Sequence, residues 1–144
     1  MRAAVLASIL LAACATAADE PRPLRDQALA TALLGAWCNS EDGGKTCWAY
    51  DHFTPDGMLR ACGRFPDERQ VFDGTGVVAV TGDVMCYRVT RATANFWVKP
   101  GSTYCTRIVG ISGSAHAYQD MESGATFRLL RVPVASITCP PAPE

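Results

Sequence analysis

The residues of this chain best equipped for chemistry are seven cysteines and two histidines. Their surroundings decide which chemistry is open to them. At the N-terminus Arg2 precedes an apolar run from Ala3 to Ala13, and small residues continue to Ala18. Residues 1–18 therefore have the layout of a secretory signal peptide, too short and wrongly flanked to remain as a membrane span. Six cysteines follow that leader: Cys38, Cys47, Cys62, Cys86, Cys105 and Cys139. An even number of cysteines in an exported chain predicts three disulfides. Bridged sulfur neither attacks as a thiolate nor binds zinc, so most cysteine chemistry leaves the field.

Cys14 closes the apolar run, and two fates are open to it. Signal-peptidase cleavage after Ala17 or Ala18 discards it. Alternatively, Leu11-Ala12-Ala13-Cys14 resembles the lipobox of bacterial lipoproteins, whose cysteine becomes the lipidated first residue. The location is then periplasmic or secreted, and a lipid at Cys14 is the only route to a membrane. Intact mass distinguishes the two, since a chain beginning at Ala18 or Asp19 carries no lipid.

The histidines offer little for catalysis. His52 adjoins Asp51 in an expected strand, where neighbouring side chains point to opposite faces. His116 sits in "GSAHAY", and Ser112 or Ser114 could complete a Ser-His-Asp set on paper, without the G-x-S-x-G turn that presents such a serine. Two histidines and scattered acids lack metal-ligand spacing. The turns "DGTG" and "ISGSA" lack the lysine and following helix of a phosphate loop. No catalytic residue, metal or cofactor is expected.

The elements that position these residues can be read from periodicity and turns. Residues 19–25, with Pro21 and Pro23, suit a linker. "DQALATALL" spaces alanine and leucine helically and ends at Gly35, which predicts one short helix. From there the chain reads as all-β, with strands expected near 35–40, 46–54, 57–64, 69–73, 76–81, 84–91, 94–98, 103–111, 115–120 and 124–132. The tight turns between them imply an antiparallel up-and-down meander closing into a small barrel or half-barrel. Residues 26–144 form this domain, including a proline-rich tail that holds Cys139. Loss of the leader leaves 12 of the 13 basic side chains against all 14 acidic ones, a charge of −2. That balance implies no nucleic-acid partner.

In "GAWCNSEDGGKTCWAY" a two-residue turn at Asp42-Gly43 would set Cys38 directly opposite Cys47, about 4.5 Å apart between Cα atoms. A disulfide tolerates about 4.4–6.8 Å. The expected bridges are Cys38–Cys47, Cys86–Cys105 and Cys62–Cys139. Alternation puts Cys86 with Arg88 and Thr90, Cys62 with Arg60 and Arg64, and Cys105 with Arg107. Those arginines could gather around an anion, although a solvated sheet face is the simpler reading. On the opposite face Met85, Tyr87 and Val89, with Tyr104 and Ile108, are the expected pocket lining.

A short helix leading into "LLGAW" resembles the G-x-W first strand of lipocalins and of small bacterial lipocalin-like domains. "YDHFTPDGMLRACG", "TGDVMCYRV" and "GATFRLLRV" fit the same group, so the resemblance spans Leu33 to Val132. It implies that Gly35 and Trp37 close the barrel floor beneath an arginine of the last strand, Arg128 or Arg131. It also implies a non-catalytic module binding a small apolar or amphipathic ligand. The alternatives are a protein-binding module of the cell envelope and a structural surface domain. "NFWVKPG" resembles a W-x-K-G element of bacterial lysozyme inhibitors, with "SGSAHAY" after it where that family has its serine-glycine-tyrosine loop before.

Overall fold

A computed structural model describes residues 19, 21–66 and 70–139. The leader and Cys14 lie outside the described residues. Helix α1 (Asp26–Leu33) precedes strands β1 (Gly35–Asn39), β2 (Ala49–Phe53), β3 (Met58–Arg64), β4 (Val71–Thr81), β5 (Val84–Ala92), β6 (Thr103–Ile111), β7 (Ala115–Asp120) and β8 (Thr126–Val132). Each strand pairs antiparallel with the next, and β8 returns to β1, closing the barrel. The fold is thus an up-and-down β-barrel with a single short helix before its first strand.

Alternation builds the interior. Along β5, Met85, Tyr87 and Val89 are buried while Arg88 and Thr90 are exposed. The helix joins this core through Leu29 and Leu33, one turn apart and both fully buried, packed against β4 and β6. It is anchored at its start, where Asp26 N–H donates to Gly82 O at 2.7 Å and Gly82 N–H donates to the Asp26 carboxylate at 2.6 Å. Residues ahead of the helix are also held. Arg22 and Ile111 exchange backbone hydrogen bonds, and Gly113 N–H donates to Asp19. The stretch read as a linker therefore lies against β6 and the β6–β7 turn.

Three expectations about strands need correction. The segments 69–73 and 76–81 are one strand, because "DGTG" bends β4 with a bulge instead of ending it. Its glycines answer to close approach: a Cβ on Gly74 would meet the Phe96 ring at 2.5 Å, and one on Gly76 would meet Arg88 O at 2.7 Å. Residues 94–98 form no strand. Asn95 donates from its side-chain amide to Val71 O at 2.6 Å, and the following residues fold over one end of the barrel, with Phe96 and Val98 buried. The segment 46–54 narrows to 49–53, because the β1–β2 connection is not a two-residue turn. Cys38 pairs with Tyr50 rather than Cys47, and Gly44 and Thr46 N–H groups donate to the Ser40 and Asp42 side chains in a longer loop.

The three expected bridges are nevertheless the ones formed. Cys38–Cys47 has its Cα atoms 5.4 Å apart and fastens this loop, not a facing pair. Cys86 and Cys105 do face each other across β5 and β6. Cys62–Cys139 ties the tail beyond β8 to β3 across a sequence separation of 77.

Candidate functional site

The barrel has a closed end and an open end. At the closed end, α1 leaves carbonyls that its own helix cannot satisfy. Trp37 Nε1 donates to Leu33 O at 2.7 Å, Arg131 Nη1 to Leu34 O at 2.7 Å and Arg131 Nη2 to Ala32 O at 2.7 Å. The Arg131 guanidinium lies 4.0 Å over the Trp37 ring, and His116 packs on the same ring at 4.4 Å between centroids. Gly35 has a φ of +108°, and a Cβ there would meet Arg131 Nη1 at 2.9 Å. Glycine, tryptophan and arginine thus form one floor. Arg128 takes no part in it, being exposed on β8 opposite Ala117.

Above the floor lies a small cavity of about 40 Å³, and above that a larger one of about 250 Å³ leads to the open end. Asp51, Trp97, Tyr104 and Tyr118 border both, so the two are stacked compartments of one interior. The upper walls are aromatic: Trp48, Phe65, Phe72 and Phe127 with Trp97. Trp97 stacks on Phe96 at 4.1 Å and meets Phe72 edge-on at 5.3 Å, which places it at the mouth with 48% of its surface exposed. A separate depression of about 170 Å³ lies outside the barrel, between α1 and the β2–β3 turn, and among the described residues no charged side chain lines it.

Alternation along β2 explains why a carboxylate sits inside. Ala49, Asp51 and Phe53 share the inner face, while Tyr50 and His52 point out toward Cys62 and Cys139. Burial pushes the Asp51 carboxyl up to about 7, opposed by a hydrogen bond from the Asn39 side chain. What surface Asp51 keeps opens into the cavities. Burial first, then the neighbouring Asp51 charge, raises the Tyr87 and Tyr118 hydroxyls, so both remain neutral hydrogen-bonding groups. At the rim the Tyr104 hydroxyl donates to Asp120. The Ser123 backbone N–H and then that hydroxyl hold Asp120 down at about 2.

Below Asp51 the polar groups are unmatched. Thr106 and His116 are each 2% exposed, and Thr106 Oγ1 and His116 Nδ1 have no hydrogen-bond partner among the described residues. Both residues line the small cavity. Burial and then the Arg131 charge push His116 down to about 3, so its imidazole is neutral. Ser112 and Ser114 turn toward each other, with Ser112 Oγ receiving the Ser114 and Ala115 N–H groups, and neither contributes to a site with His116.

Of the residues expected to line a pocket, Met85, Tyr87, Tyr104 and Ile108 border the small cavity, and Val89 is buried in the adjoining core. The arginines do not assemble. Arg60 is paired with Asp73 at 2.5 Å and Arg107 approaches Asp83 at 3.6 Å, on strands separated by β4 and β5. Sequence reasoning missed Asp51, Thr106, His116 and Trp97 as cavity residues. The first three were within its reach, because each occupies an inner-face position of a strand whose alternation was legible.

A short barrel of eight antiparallel strands, floored by an N-terminal helix and a Gly-x-Trp first strand, has a lipocalin-like fold. The crystal structure of a lipocalin-like protein from Bacteroides uniformis matches it with a TM-score of 0.54, covering 70% of this chain and 99% of that one at 13% identity. No protein-family model and no curated protein matches the chain.

Proposed function

We propose that this domain binds one small amphipathic molecule inside the barrel, without covalent chemistry. The observation that carries the reading is the stacked interior: aromatic walls around about 250 Å³, ending at a buried carboxyl and unmatched hydrogen-bonding groups. Such a combination of apolar surface with few, placed polar groups is the usual make-up of a small-molecule site. The volume favours a ligand of one or two rings or a short chain. The leader-like N-terminus and three disulfides support export to the periplasm or outside the cell. Among the described residues no helix is long and apolar enough to cross a membrane.

Trp48 and Trp97 border the large cavity, so occupancy should change tryptophan emission. Saturable binding of the neutral dye N-phenyl-1-naphthylamine by the oxidised protein is expected, with displacement by small aromatic alcohols. No saturable binding of either would sink the reading. A second reading draws on the exposed rim, where Trp97, Met121 and Phe127 could dock on an envelope protein. Inhibition of a purified lysozyme without any dye binding would favour it.

A further inference from the structure

Resting on the cavity reading, we propose that the ligand is a small organic amine, bound as its ammonium ion against Asp51 with its apolar body between the aromatic walls. Charge and shape lead to this class. Two carboxylates, Asp51 inside and Asp120 at the rim, border the large cavity, and among the described residues no lysine or arginine lines either compartment. A buried carboxylate without a cation is costly, so an incoming ammonium has the most to gain at Asp51. The surrounding rings add to the attraction, since a cation within about 6 Å of an aromatic face is held by its quadrupole. Trp97, Tyr104 and Tyr118 border both compartments, as Asp51 does, and are placed to supply such faces.

Independent support comes from below Asp51. Thr106 Oγ1 and His116 Nδ1, both deeply buried and without partners, line the compartment that a polar end of the ligand would enter. The polar groups around Asp51 come from the adjacent β1, through Asn39, and from strands across the barrel: Tyr87 on β5, Tyr104 on β6, Tyr118 and His116 on β7, with Asp120 above. With His116 held neutral, none of them supplies a positive charge that would compete with the ligand. An anionic ligand would meet two carboxylates, and a neutral one would leave Asp51 without a counter-ion.

The test compares phenethylamine, 2-phenylethanol and 3-phenylpropanoate by calorimetric titration of the oxidised protein at pH 6, 7 and 8. Phenethylamine is expected to bind at least about tenfold tighter than the alcohol at pH 8. Its affinity should fall about tenfold between pH 8 and pH 6 as Asp51 takes up a proton, while that of the alcohol stays level. Asp51→Asn should remove the amine's advantage over the alcohol and the pH dependence of amine binding. Should that variant fold poorly, the wild-type pH profile decides alone. Equal binding of amine and alcohol, or tighter binding of the carboxylate at pH 6, overturns the amine proposal while the cavity stands. Failure of every probe, the neutral dye included, overturns both.

Discussion

At the scale of the residue, Asp51 and His116 respond to pH in opposite senses, and both are buried in the same interior. The folded value of Asp51, about 7, lies above its ordinary 3.8. Its stabilising contribution is therefore complete below about pH 4 and is lost as pH rises to 7. For His116 the folded value of about 3 lies below the ordinary 6.5, so its contribution is intact above 6.5 and is lost as pH falls toward 3. Asp51→Asn is expected to raise the stability at pH 8, by on the order of a few kcal/mol, and with it the Tm, and to change both little at pH 4. His116→Phe should flatten the loss between pH 6 and pH 4. Thermal melts at the three pH values check both, and an Asp51→Asn gain that is equal at pH 4 and pH 8 would contradict the assignment. Alternation gives both residues inner-face positions, but their polar side chains argue the other way in the sequence. Asp51 reads first as the neighbour of His52, and only the burial of Ala49 and Phe53 on either side turns it inward. Burial of a charge is a property of what closes over it, which in this barrel comes from β5, β6 and β7.

At the scale of the element, the floor joins α1, β1 and β8 through Gly35, Trp37 and Arg131. Gly35→Ala forces a side chain into a positive φ and against the guanidinium that satisfies two helix carbonyls. A loss of about 2–4 kcal/mol is expected by denaturant titration, combining backbone strain with displaced hydrogen bonds. Arg131→Lys should also destabilise, because one ammonium cannot reproduce the fork over Trp37 and its two carbonyl bonds. Arg128→Lys, on the exposed face of the same strand, should be neutral. Arg128 and Arg131 were both open in the sequence, because which face of the last strand turns inward is set by its pairing with β1, which comes from barrel closure. The same limit explains the misplaced strand at 94–98: "NFWV" has strand-forming residues, and it is the apolar mouth that draws them out of the sheet.

At the scale of the whole molecule, bridges of different span should differ in value. The loop-entropy relation gives about 4.5 kcal/mol for the separation of 77 and about 2.7 kcal/mol for that of 9. Cys62→Ser with Cys139→Ser should therefore lower the Tm more than Cys38→Ser with Cys47→Ser. A larger loss from the short bridge would mean that the β1–β2 loop carries packing beyond its entropy. The pairings were legible because turns bring neighbouring strands together and leave the tail for the remaining cysteine, whereas the register around Cys38 was not, since two glycines and the Ser40 and Asp42 side chains lengthen that loop. The described N-terminal residues also fix how the barrel presents itself. Asp19 sits against the β6–β7 turn, beside the floor, and the mouth opens at the far end of the strands. The first described residue and the mouth thus lie at opposite ends of the barrel, so whatever enters the cavity does so without passing Asp19.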